Sequence, residues 1–182
     1  MSSITSDYIQ FIDIIRKNVY NVIHIPGSDW GGMAASNMNL FVGDKGSIHV
    51  LDHQGQPVRK IKAKSEVYTR ASITICNSGS ICYSDGDSLY CIAPDDWEVF
   101  TYISPDLRGT RGVTTDNLGN IYIVGLHSNN IHRLRPDGTI IDIILKEEDN
   151  IVIRIACCFS TNHRKLYVVN HNGEIISVFI VA

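Results

Sequence analysis

Three arginines recur at one position of a repeated pattern in the sequence. Arg70, Arg111 and Arg154 are separated by steps of 41 and 43 residues, and each stands just before a run with strand character. Gly31 occupies the same position in the first repeat, so the repeat itself does not require arginine there. A guanidinium offers planar, paired donors that fit phosphate and carboxylate groups. The spacing therefore predicts a cationic binding surface.

The arginines belong to a pattern with four copies. Its first landmark, at steps of 41, 40 and 45 residues, is Asn39, Ser80, Asn120 and Lys165. Its second landmark, at steps of 41, 42 and 44, is Ile48, Leu89, Ile131 and Ile175. Several short strands per unit at this period are typical of a β-propeller blade. We predict an all-β propeller of four-stranded antiparallel blades, with about four blades present.

The predicted blades cover residues 28–65, 66–107, 108–149 and 150–182, and the last has no sequence for an outer strand. Residues 1–27 are predicted to supply strands of a preceding blade or a closing strand. A short helix from Ser6 is the alternative, because Tyr8, Phe11, Ile12 and Ile15 share a helical face. Closure with four blades is a second alternative. We favour an open or partial propeller, whose two uncovered apolar blade faces predict self-association.

The blade pattern also predicts which side chains accompany the arginines. In an antiparallel meander, the entry to the first strand and the turn between the second and third strands lie at the same end. The residues predicted to join the arginines there are Lys45, His127, Asn129 and His171. The alternative is that the arginines are solvated, or that they pair with aspartates of the same rim, namely Asp29, Asp85 and Asp87.

The third unit carries a family resemblance, in the string RGVTTDNLGNIYIVGLHSNNIHRLRPDGTII at residues 111–141. Its Arg-Gly-Val start, its Asp116 turn and its closing Pro-Asp-Gly resemble an NHL repeat. The whole is similar to the C-terminal propeller of tripartite-motif NHL proteins. This resemblance implies recognition of RNA or of a protein segment, with ubiquitin-ligase activity in a separate RING domain. The sequence contains no RING or B-box spacing of cysteine and histidine.

Patterns for catalysis and metal binding are weaker. Cys157 and Cys158 are adjacent in a predicted strand, so their side chains point to opposite faces and cannot share a zinc ion. Paired ligand spacings typical of zinc sites are absent, as is a G-x-S-x-G motif. We predict that the chain is not an enzyme and has no metal or cofactor. The alternative is a metal-dependent propeller hydrolase of the lactonase type, with channel ligands from Asn77, Asp116, Asn117 and Asn162.

Composition limits the classes of protein and of partner that the sequence is compatible with. The 182 residues are 44% apolar and 19% charged, with a net charge of −3, which is typical of a globular chain without bulk attraction to nucleic acid or acidic membranes. No apolar run of membrane-spanning length occurs, and the N-terminus lacks a signal-peptide pattern. The five cysteines are an odd number in strand-like runs. They predict buried free thiols and a cytoplasmic protein without a membrane partner.

Overall fold

The strands form five antiparallel sheets in the computed structural model, which describes residues 8–24, 31–44, 46–64, 72–149, 156–170 and 174–181. A hairpin contains β1 (Tyr8–Asp13) and β2 (Asn18–His24). Blade one contains β3 (Met33–Ala35), β4 (Asn39–Asp44), β5 (Ser47–Asp52) and β6 (Pro57–Lys62). Blade two contains β7 (Ile73–Ile75), β8 (Ile81–Asp85), β9 (Ser88–Ile92) and β10 (Glu98–Ile103).

Blade three contains β11 (Thr110–Thr115), β12 (Ile121–Gly125), β13 (Asn130–Leu134) and β14 (Ile140–Leu145), and a 3₁₀ turn follows at Glu147–Asp149. Blade four contains β15 (Ala156–Phe159), β16 (Lys165–Asn170) and β17 (Ile175–Ile180). Each blade is a meander in which neighbouring strands are consecutive in the sequence. The innermost strands contact one another in series: β3 with β7, β7 with β11, and β11 with β15.

One backbone hydrogen bond recurs at the start of the second strand in all four blades. The acceptors are the carbonyl oxygens of Asn39, Ser80, Asn120 and Lys165, at 2.8, 2.8, 3.0 and 2.9 Å. The donors are the backbone N–H groups of Ser36, Cys76, Asp116 and Ser160. The first sequence landmark therefore marks equivalent positions. The predicted all-β architecture, with four-stranded antiparallel blades and about four blades present, is confirmed.

Each interface between blades has its own hydrophobic core. Phe41 and Ile48 of blade one pack with Ile81 and Tyr83 of blade two. Blades two and three bury Leu89, Leu107, Val113 and Ile123, and blades three and four bury Tyr122, Val124, Leu166 and Val168. Strands β8 and β12 are buried along their whole length. Burial on both faces explains the apolar, β-branched and aromatic run Ile121–Val124 of β12, whereas β8 is apolar over Ile81–Tyr83 and ends in the buried polar residues Ser84 and Asp85.

The N-terminal hairpin packs on blade one. Ile9 and Ile23 lie against Val42 and Leu51. The alternative of a short helix from Ser6 is wrong over residues 8–13, because β1 pairs along its length with β2 and exposes alternate side chains. The domain boundaries stay predictions. In the part of the chain that the structure describes, no helix has the length and apolar character needed to span a membrane.

Candidate functional site

A cavity of about 820 Å³ opens at one end of blade three. Three segments enclose it: the β10–β11 connection, the β12–β13 turn, and the end of β14 with the 3₁₀ turn that follows. Antiparallel pairing brings these segments to the end where β11 begins, which we call the loop face. The charged and polar residues that line the cavity include Asp106, Arg108, His127, Asn129, Lys146 and Glu148.

Hydrogen bonds join two of these segments into one wall. The backbone N–H of His127 donates to the carbonyl of Arg108 at 3.0 Å, and the Arg108 N–H donates to Ser128 Oγ at 3.1 Å. The Ser128 hydroxyl donates to Asn130 Oδ1 at 2.7 Å, and Asn130 Nδ2 donates to the carbonyl of Asp106 at 2.7 Å. Backbone and side-chain hydrogen bonds therefore hold the two segments together.

Two glycines make this wall possible. Gly109 has φ +63°, and a Cβ placed there would lie 2.2 Å from His127 Cδ2. A Cβ at Gly125 would lie 2.1 Å from Ser128 Oγ and 2.6 Å from Asn130 Oδ1. Real atoms do not approach so closely, so a side chain at either position would have to displace His127 or the Ser128–Asn130 pair. Gly125 leaves room for the Ser128–Asn130 pair.

The lining carries both signs of charge. Arg108 and Lys146 are cationic, whereas Asp106 and Glu148 are acidic. Among the described residues, the charged groups of Arg108, Lys146 and Glu148 form no ion pair or hydrogen bond. The arrangement can bind a molecule that offers both donors and acceptors.

The cavity contains two of the predicted site residues, His127 and Asn129. Arg111 lies on β11, half-buried, where its Nη1 donates to the carbonyl of Thr110 at 3.0 Å, and it does not line the cavity. Four of the predicted residues, Arg70, Arg154, Lys45 and His171, lie outside the described residues. The arc of arginines therefore stays a prediction.

Sequence reasoning missed the other charged residues of the cavity. Arg108 and Lys146 belong to the connections that enter and leave blade three, and these connections carry no repeated landmark. Asp87, one of the aspartates named as alternative partners of the arginines, accepts through Oδ1 from the backbone N–H of Gly109, and its pairing with an arginine stays a prediction. Asp87 thus helps to fix the loop that carries Arg108.

The residues proposed for a channel metal are engaged in turns. Asp116 Oδ1 accepts from the N–H groups of Leu118 and Asn120, each at 2.9 Å, and Asp116 Oδ2 accepts from the Tyr122 hydroxyl at 3.0 Å. Burial, together with the Asp116 carboxylate, raises the pKa of Tyr122 to about 12. Asn77 Nδ2 donates to the carbonyl of Asn117 at 3.2 Å, which ties the first turns of blades two and three together.

The cysteines depart from expectation in two respects. All five are free, and Cys82, Cys91 and Cys157 are buried as predicted, but Cys76 is half-buried and Cys158 is exposed. Cys157 and Cys158 face opposite sides of β15, and burial raises the pKa of Cys157 to about 12. Among the described residues, one group of side chains could hold a metal ion, formed by Cys76, Cys82 and Cys91. Hydrogen bonds from the thiols of Cys82 and Cys91 lower the pKa of Cys76, and the bond from Cys82 has the larger effect.

Comparison with known proteins gives matches of structure alone. No protein-family model and no curated protein matches the chain. Virginiamycin B lyase of Staphylococcus aureus aligns with a TM-score of 0.72 at 15% identity, over 97% of this chain and 64% of the lyase chain. A chain of the mitotic checkpoint complex aligns with a TM-score of 0.76 at 10% identity, over 97% of this chain and 57% of that one. Glutaminyl cyclase of Myxococcus xanthus aligns with a TM-score of 0.62 at 14% identity, over 91% and 79%.

These likenesses agree with the sheet topology. The chain has a β-propeller fold. It spans less than two thirds of the lyase and of the checkpoint component, at 64% and 57% of their lengths. The similar structures are propellers of varied function, and they do not identify the NHL or tripartite-motif family.

The prediction that the chain is not an enzyme is contradicted, because enzymes are among the similar structures. A lyase and a cyclase are among the similar structures, at 15% and 14% identity. The prediction depended on the absence of recognisable catalytic motifs. The absence of such motifs is weak evidence against catalysis in a propeller, because propeller sites are assembled from loops of several blades rather than from one contiguous motif.

Proposed function

We propose that the loop face of blade three binds a segment of another protein. The observation that carries the proposal is the open cavity of about 820 Å³, whose lining includes cationic and acidic side chains that have no partner among the described residues. This volume lies in the usual range of ligand sites, about 300–1,000 Å³. A polypeptide supplies backbone donors and acceptors together with side chains of either sign. Arg108 and Lys146 would bind acidic or carbonyl groups, and Glu148 would bind a basic one.

Further features support a protein ligand over RNA. RNA binding depends strongly on cationic side chains that face the phosphates, whereas this cavity mixes cations with Asp106 and Glu148, and the net charge is −3. One similar structure belongs to a protein assembly, the mitotic checkpoint complex. Recognition of a protein segment is also one of the roles that the NHL resemblance of residues 111–141 implies. The arginines Arg70, Arg111 and Arg154 would extend the same surface onto neighbouring blades.

The test is selection of a displayed random-peptide library on the purified chain, followed by titration of the selected peptide. Arg108→Glu reverses a charge in the cavity, and Arg135→Glu makes the same change in the turn at the opposite end of blade three. A hydrogen bond to a charged group contributes about 1.5–3 kcal/mol, so Arg108→Glu should weaken binding roughly ten- to a hundredfold. Arg135→Glu should leave the affinity unchanged.

Two results would overturn the proposal. One is a selected peptide whose affinity is the same for wild type and Arg108→Glu. The other is failure of the peptide selection while a parallel selection with random RNA yields a binder, whose affinity falls steeply with salt.

A further inference from the structure

Three thiols converge at the end of blade two opposite to the loop face. Cys76 follows β7 directly, Cys82 lies on β8 and Cys91 lies on β9, where Cys82 and Cys91 are direct cross-strand partners. The Sγ atoms of all three lie within 4.8 Å of one another, and those of Cys76 and Cys82 are 3.1 Å apart. The strand pairing of a single blade therefore brings together three soft ligands that are 6 and 9 residues apart in the sequence.

The spacing of these sulfur atoms suits one metal ion. A zinc–thiolate bond is about 2.3 Å long, so two thiolates on a tetrahedral ion lie about 3.8 Å apart. The distances in the cluster bracket this value, since they run from 3.1 Å to at most 4.8 Å. Side-chain rotations that move each sulfur by about 1 Å or less would place all three on an ion. Soft thiolate ligands select ions such as Zn²⁺ and Cu⁺.

The surroundings provide both enclosure and access. Cys82 and Cys91 are 0% and 1% exposed, in the hydrophobic core between blades two and three. A cavity of about 210 Å³ reaches Cys76 and Cys91 from the side of Asn77 and Ser78. This opening gives an ion a route to the thiols and gives a water molecule room at a fourth position. Three protein ligands with an open fourth position are the arrangement of zinc sites that keep exchangeable water.

We propose that Cys76, Cys82 and Cys91 form a three-thiolate site for a thiophilic ion, Zn²⁺ or Cu⁺. Each thiol that binds loses its proton to solvent as the sulfur–metal bond forms, so the affinity rises with pH. The bound ion links the three strands β7, β8 and β9 of one sheet and closes the end of the core between blades two and three. The site is independent of the proposed peptide-binding cavity, which lies at the other end of the blades.

The experiment is metal titration of the full chain in a non-thiol reductant, after removal of metal by a chelator. Co²⁺ reports thiolate ligation through its sulfur-to-cobalt charge-transfer absorption, and competition by Zn²⁺ or Cu⁺ gives their affinities. Wild type should bind one equivalent, confirmed by elemental analysis, and its melting temperature should rise on binding. Cys76→Ser removes the half-buried ligand and should weaken binding at least a hundredfold. The matched control is Cys157→Ser, at a buried cysteine of blade four outside the cluster.

A second measurement keeps the test independent of folding of the variants. Alkylation of the wild-type chain, read by mass spectrometry, should be slowed by metal at Cys76 and unchanged at the exposed Cys158. Absence of one-equivalent binding by wild type would overturn the proposal, and so would equal affinities of wild type and Cys76→Ser. Equal protection of Cys76 and Cys158 would count against it in the same way.

Discussion

The imidazole of His127 lies against the backbone of Gly109, where a Cβ would approach its Cδ2 to 2.2 Å. One residue belongs to the β12–β13 turn and the other to the β10–β11 connection. The ring therefore occupies the space that a side chain at residue 109 would need. A side chain there would displace the His127 ring, which lines the cavity.

We expect Gly109→Ala to deform the cavity and to lower the free energy of unfolding. The matched control is Gly86→Ala, because Gly86 has a similar φ of +58° but nothing within 4 Å of a Cβ. Both variants share the backbone strain, so their difference measures the collision with His127. That difference should be no more than about 1 kcal/mol by denaturant titration, because the exposed His127 ring can rotate away from the added methyl group at the cost of a less favourable rotamer. The double variant Gly109→Ala/His127→Ala should recover most of it, and no recovery would contradict the contact.

A second prediction concerns pH and His132. This buried ring contacts the hydroxyl of Tyr102 at 2.8 Å, and burial lowers its pKa from 6.5. The unfolded chain therefore binds a proton that the folded chain resists, and stability falls as pH drops below about 6.5. We expect His132→Gln to flatten this dependence, measured by denaturant titration at a series of pH values. The exposed His53, replaced in the same way, is the control, and an unchanged pH dependence in His132→Gln would contradict the prediction.

A third prediction concerns the arc of arginines. If Arg111 joins Arg70 and Arg154 on an anionic part of the ligand, Arg111→Glu should weaken binding of the selected peptide roughly ten- to a hundredfold. Stability should change by about 1 kcal/mol or less, because Arg111 is only half-buried and its guanidinium donates to the carbonyl of Thr110. Arg135→Glu is the control here as well. Equal affinities and equal salt dependence of wild type and Arg111→Glu would leave the arginines as ordinary surface residues.

A fourth prediction is that the 182-residue chain self-associates. Strand β17 exposes apolar side chains, with Ile176 at 64% and Ile180 at 82%, and among the described residues it pairs on one side only. Such an edge favours pairing with another chain. Sedimentation should show oligomers of the wild type and a shift toward monomer in Ile176→Lys/Ile180→Lys. Ile103→Lys, at a residue 70% exposed on blade two, is the control, and a monomeric wild type would refute the prediction.

The fold was more predictable than the site. The blades could be predicted because each repeats the same turn, whose hydrogen bond ends at Asn39, Ser80, Asn120 or Lys165. A turn that recurs in the structure needs the same residue types each time, so it is recognisable as a repeated sequence pattern. The cavity could be predicted only in part, since His127 and Asn129 lie in the turn between the second and third strands of a repeated blade, whereas Arg108 and Lys146 lie in connections of irregular sequence. The three-cysteine cluster could not be predicted, because its spacing of 6 and 9 residues acquires meaning only from the register that pairs Cys82 with Cys91.

The separate hydrophobic cores between blades determine how this molecule opens. Each core is made by two neighbouring blades, so cooperativity passes from one blade to the next rather than through a common centre. Separation of a terminal blade then disrupts one interface between blades. Exposure of β8 or β12 to solvent disrupts two, because blades two and three each pack on both neighbours. Amide hydrogen exchange should therefore be slowest in Ile81–Asp85 and Ile121–Gly125 and fastest in β17. In solution the middle blades would therefore keep their structure while amide hydrogens of the terminal blades exchange with solvent.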